Sequence, residues 1–217
     1  MPTESQDLIN SKNIQVENPQ EASFMDELLG RLPKPVASSF VSFYRQSRNQ
    51  AEKIVDSHKD QLDGVLNDFV GGLESSRRQE AGKIIRTATI MAAVVGCSPI
   101  PFSDAILLVP IQLTMMARLH KLFGQSWTKS LGKSFTKELA VVGFGRSTVG
   151  NIMKLIPGLG TYSGAAVNGV VASSITASLG WATVKMLNGG EDLLENMGSF
   201  KGKYKGLMQA LKKAGIL

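Results

Sequence analysis

Two long stretches of this chain are almost free of charge, and they constrain the fold more than any other feature. The 31 residues between Arg86 and Arg118 carry only Asp104, and the 30 between Lys154 and Lys185 carry none. One helix crossing a bilayer needs about 20 apolar residues, and two crossings with a turn need roughly 40, so each stretch falls between the two. Pro99 and Pro101 interrupt the first near its middle. Because a proline disfavours helical geometry in the residue before it, this stretch reads as two short helices, a helical hairpin. Past the break, Ser103 is an N-cap candidate, Asp104 falls in the first turn where the helix dipole favours a negative charge, and Pro110 kinks the rest of the helix. Asp104 has that structural reading first and a buried functional carboxylate second.

Pro157, Gly158 and Gly160 interrupt the second stretch near its start, leaving one helix beyond them. In that helix Gly164, Asn168, Ala172, Thr176 and Gly180 recur at strict i, i+4 spacing, flanked by Ala165, Gly169, Ser173 and Ala177. A row of small residues lets a second helix approach closely, in membranes and in tight soluble bundles alike. Asn168 and the hydroxyls in the row would need partners in either solvent.

Around these stretches the chain divides into four parts. Residues 1–33 form a polar tail, expected to be largely disordered because its opening has no periodic apolar residues to offset the entropy of ordering. Residues 34–80 form an amphipathic helical arm that starts near Pro33 and Pro35. There Ala51, Ile54, Val55, Leu62, Val65, Leu66, Phe69, Val70 and Leu73 keep helical spacing, with a break expected at Gly71-Gly72. Residues 81–190 form the apolar helical core. Residues 191–217 form a basic C-terminal helix, in which Lys201, Lys203, Lys205, Lys212 and Lys213 alternate with Leu207, Met208 and Leu211. That helix suits either an anionic lipid surface or plain solvation.

The net charge of +6 is distributed from acidic to basic along the chain. Residues 1–33 hold Glu4, Asp7, Glu17, Glu21, Asp26 and Glu27 against Lys12 and Arg31, whereas nothing acidic lies beyond Glu195. Between the apolar stretches, Lys121, Lys129, Lys133, Lys137 and Arg146 face only Glu138, and Arg77, Arg78, Lys83 and Arg86 precede the first. Positive flanks on both sides place both on the cytoplasmic face of a membrane. Arg118, Lys121, Lys129, Lys133 and Lys137 are accordingly the candidate contacts to lipid headgroups. Cys97 is the sole cysteine, which fits a reducing compartment. The first 23 residues lack the basic and apolar segments of a cleavable signal peptide.

Catalytic chemistry has no positive support. Two histidines and one cysteine do not make an ordinary zinc site, so no metal or other cofactor is expected. Gly143 to Gly150 resembles a phosphate loop but lacks the lysine that such a loop needs after its last glycine. His120 has no nucleophile or carboxylate at a telling spacing and is expected on a helix surface. Aromatic residues are only 6% and do not interleave with the basic ones, which argues against nucleic acid as the partner.

Ser98-Pro99-Ile100-Pro101 with Asp104, then Gln112, Met115, Met116 and Gly124, and later Ile156-Pro157, Gly160, Asn168, Ala172, Thr176 and Gly180, carry a family resemblance. Over residues 84–187 the chain resembles a bacterial domain of unknown function found C-terminal to Era-like GTPase domains and in YcjF-type inner-membrane proteins. The resemblance implies a helical module associated with a membrane or a GTPase, with Pro99, Pro101, Asp104, Pro157 and Gly160 as its motif positions and no catalytic residues. Residues 1–80 are too few and too helical for a GTPase domain, so any GTPase is expected to be a separate partner. The sequence thus predicts an all-α helical bundle with two proline- or glycine-broken apolar segments and an N-terminal amphipathic arm. Its expected role is that of a non-enzymatic accessory, scaffolding or regulatory protein at the cytoplasmic face of the cell membrane, its partners being the anionic surface and a GTPase or a second copy. A pore-forming, membrane-inserting effector and a soluble helical interaction module are the alternatives.

Overall fold

The computed structural model describes residues 19–57, 59–97, 103–142, 164–193 and 195–215. Among them are eight helices: α1 (Pro19–Leu29), α2 (Lys34–Asp56), α3 (Lys59–Phe69), α4 (Ser75–Gly96), α5 (Ser103–Leu122), α6 (Lys129–Val142), α7 (Gly164–Asn188) and α8 (Met197–Lys213). The protein is all-α, as its sequence predicts.

The core forms around α4 and α7, which share the largest interface. From Ala88 to Gly96 every residue of α4 is buried, because neighbours surround it on all sides: α7, α2 and α5. A stretch of helix that is apolar all round needs such a covering wherever water would otherwise reach it. The approach of α4 to α7 is set by glycine. A Cβ at Gly96 would stand 2.5 Å from the Asn168 carbonyl oxygen and 2.8 Å from the Gly169 Cα. On α4 and α5, Ile85 and Met115 close over Gly180 in the same way, at 2.7 and 3.0 Å from a Cβ placed there. The hairpin of α4 and α5 spans the first low-charge stretch, and Pro110 lies within α5.

The N-terminal region departs from expectation. The tail foreseen through residue 33 is helical from Pro19, and Phe24, Met25 and Leu28 have no exposed surface. Burying each such side chain contributes about 1.5–3 kcal/mol toward the cost of ordering this helix. Two polar latches add to this. Tyr44 on α2 donates its hydroxyl to the buried Glu21, whose carboxylate also pairs with Arg48 at 3.3 Å. Arg118 on α5 pairs with Glu27 at 3.0 Å, donates to the Ser23 hydroxyl at 2.8 Å and lies over the Phe24 ring.

The arm also divides once more than expected. Its helix starts at the predicted prolines but stops at Asp56, and Ser57 turns its hydroxyl back to the Ile54 carbonyl at 2.8 Å. No apolar side chain lies between Val55 and Leu62, so no burial holds that turn of helix. The second break falls at the predicted Gly71-Gly72, where Gly72 takes the left-handed conformation at φ +80°.

Candidate functional site

The five candidate headgroup contacts separate into two groups. Arg118 belongs to the part-buried latch on α1, its side chain 18% exposed. It is a correction to the sequence reading: this guanidinium holds the fold together rather than facing outward. Lys121, Lys133 and Lys137 are exposed. Lys129 opens α6, and its side chain is outside the described residues.

The corner that presents these lysines is built from α5 and α6. Gly124, left-handed at φ +70°, ends α5, and the Gln125 amide reaches back to the His120 carbonyl at 2.9 Å. Lys121 falls in the last turn, where the helix dipole favours a cation. Thr128 then caps α6, its hydroxyl accepting from the Leu131 amide at 3.2 Å. Trp127 sets its ring edge-on to His120, 4.8 Å between centroids, and lies against Gly132.

His120 is therefore not on a helix surface, as the sequence suggested, but buried at this corner. Its Nδ1 donates to the Met116 carbonyl at 2.8 Å, which fixes the neutral tautomer. Burial pushes its pKa below the ordinary value, against the opposing effects of the Met116 hydrogen bond and of Asp192.

Two lysine-bearing helices meet beyond the corner. On α6, Leu131 and Phe135 are buried, while Lys133 and Lys137 lie on the opposite, exposed side. On α8, Phe200, Tyr204, Leu207 and Leu211 are buried, and burial pushes the Tyr204 hydroxyl up to about 12. Phe135 meets Phe200 edge-on with centroids 5.5 Å apart, joining the two helices by their apolar sides. Lys201, Lys205 and Lys212 recur on one flank of α8, with Lys205 and Lys212 exposed. On the other flank Lys203 pairs with Glu191 at 2.7 Å, and that bond with a second from Ser199 lowers the carboxyl pKa. The apolar side of α8 is thus committed to the core, leaving Lys205, Lys212 and Lys213 at the surface.

The small-residue row is internal from Ala172 onward, whereas Asn168 is exposed. Gly164 opens α7, Asn168 brings its carbonyl against Gly96, and Ala172 and Gly180 are buried. Thr176 accepts a hydrogen bond from the buried Gln112 of α5 at 3.2 Å. Residues Asn168–Asn188 form a helix long and apolar enough to cross a membrane, with mean hydropathy 1.3, yet 83% of its most apolar window is buried in the bundle. Asp104 is the second residue of α5. Its side chain, Pro99, Pro101, Pro157, Gly160 and residues 143–150 lie outside the described residues.

Comparison with known proteins matches residues 61–213 to the family model described as "Domain of unknown function (DUF697)". The match covers well over half of the chain. The chain belongs to this family. The DUF697 region begins within α3 and takes in α4 to α8, leaving α1 and α2 before it. A curated relative, magnetosome membrane protein 22 of Magnetospirillum gryphiswaldense, is 32% identical over 117 residues, 52% of this chain. The chain spans 60% of that relative's length. No solved structure matches the chain.

Proposed function

We propose that this DUF697 protein is a non-enzymatic accessory or scaffolding module that associates peripherally with the cytoplasmic face of a membrane. The observation that carries this reading is the joined pair α6 and α8, apolar sides inward and lysines outward. Each lysine close to an anionic surface contributes about 1 kcal/mol, so several together hold a small protein there. The membrane-protein relative supports the same reading. The burial of α7 favours contact from the surface over insertion, because inserting this helix would dismantle its packing on α4.

The test is flotation of the purified chain with vesicles containing phosphatidylglycerol. The native chain floats at low salt, and the triple variant Lys133→Glu, Lys137→Glu, Lys205→Glu stays behind while keeping its helical circular dichroism. Equal flotation of the two overturns the basic surface as the contact.

A further inference from the structure

A second site opens on the face between α3, α4 and α7, apart from the lysines of α6 and α8. An apolar cleft of about 270 Å³ is floored by Leu62, Leu66, Ile85, Ala177 and Trp181. A smaller pocket of about 40 Å³ continues it, sharing Val55, Leu62, Thr89 and Ala177. Gly82 leaves one end open, since a Cβ there would meet only the Trp181 ring, at 3.9 Å.

One polar group in this apolar wall stands out. The Thr89 side chain is buried, with the residue only 6% exposed, and its hydroxyl has no hydrogen-bond partner. A helical threonine ordinarily satisfies its hydroxyl on the carbonyl four residues back. Thr87 does so on Lys83 at 3.0 Å and Thr183 on Leu179 at 2.8 Å. Thr89 instead lines both pockets. One turn earlier on α4, Arg86 lines the cleft, with Lys83 and Lys59 beside it and Asp63 as the one acid among its lining residues. These cations are held in exposed pairs: Arg86 with Asp56, Lys83 with Glu80 at 2.7 Å and Lys59 with Asp63 at 3.1 Å. Exposed pairs of this kind are weak and exchange partners readily.

From this arrangement we infer that the cleft binds a single anionic acyl chain, a free medium-chain fatty acid. Its carboxylate accepts the Thr89 hydroxyl proton in a hydrogen bond and faces Arg86, while its tail lies over Leu62, Leu66 and Trp181 toward Gly82. An apolar cavity of about 150 Å³ holds a six-carbon ring, so the main cleft has room for roughly ten carbons. Lys59, Lys83 and Arg86 at the mouth can exchange their exposed carboxylate partners for that of the ligand, and the ligand supplies the partner that Thr89 lacks.

The test titrates decanoate, below its micelle concentration, into the full chain carrying Trp127→Phe, so that Trp181 alone reports binding. Decanoate saturates the signal, and decanol of the same length binds roughly tenfold more weakly for want of the charge. Thr89→Val weakens decanoate binding by about five- to tenfold without loss of stability, because it removes an unsatisfied hydroxyl. Gly82→Leu fills the cleft and abolishes binding, whereas Gly82→Ala folds and still binds. Absence of decanoate binding, or binding indifferent to both Thr89→Val and Gly82→Leu, overturns the inference. If decanoate fails to bind and Gly82→Leu nonetheless loses vesicle flotation, the chain comes from a bilayer lipid and the free fatty acid is refuted. Vesicle flotation lost only on lysine reversal bears on the basic surface and leaves the cleft to the decanoate result.

Discussion

At the scale of single residues, two polar side chains of the α5 region carry structural duties that their neighbours in sequence do not. Arg118 joins α1 to α5 through Glu27, Ser23 and the Phe24 ring, whereas Lys121, three residues on, is exposed. Arg118→Ala is expected to cost about 1–2 kcal/mol in urea unfolding, through lost hydrogen bonds and packing of its stem, and Lys121→Ala less than about 0.5 kcal/mol. Equal effects would contradict the latch. His120 makes stability depend on pH. The folded protein holds it neutral with a lowered pKa, while the unfolded chain takes up a proton near pH 6.5. Between those two values the unfolded state binds more protons, so stability is full above about pH 6.5 and falls as pH drops through that value toward the native one. His120→Asn, which retains a donor to the Met116 carbonyl, should flatten that slope in thermal unfolding curves taken between about pH 7 and 5. Neither role was legible in the sequence. Arg118 shares its spacing with the surface lysines, and His120 is buried by Trp127, whose approach depends on the turn at Gly124.

At the scale of elements, glycine positions separate sharply by what faces them. Gly96 at the end of α4 has backbone atoms of α7 within 3 Å of any added Cβ, and neither helix can yield there without parting. Gly96→Ala should therefore destabilise by about 1–3 kcal/mol in denaturant unfolding. Gly64 lies inside α3 with open space beside it, and Gly64→Ala should stabilise by about 0.5–1 kcal/mol. The reverse order would show that α4 packs on α7 too loosely to feel an added methyl group. Most elements were legible because their signals are local. The prolines at 33 and 35, the glycine pair at 71–72 and the small residues of α7 each act through their own backbone or spacing. The missed element, α1, does have an apolar pattern at Phe24, Met25, Leu28, Leu29 and Leu32, but a polar opening conceals it. Its stability comes from α2 and α5, through partners 23 and 91 residues away in the chain.

At the scale of the whole molecule, the two low-charge stretches are each long enough for one membrane span, yet their described residues are mostly the inside of a bundle. The candidate site was legible only as a composition: exposed lysines between and after the apolar stretches. What joins α6 to α8 is the Phe135–Phe200 contact across 65 residues of chain, which no local pattern announces. Two ways of meeting a membrane differ in their response to salt. A protein held by lysines leaves when salt screens the surface, because such attraction fades within about 8 Å at physiological ionic strength. A protein with α4, α5 and α7 in lipid does not. The deciding measurement is alkaline carbonate extraction of membranes from cells expressing the untagged chain. Release of the protein into the supernatant is the predicted result, with α7 still buried in its bundle. Retention in the pellet would mean that residues 87–117 and 155–184 lie in the bilayer, and would contradict a peripheral association.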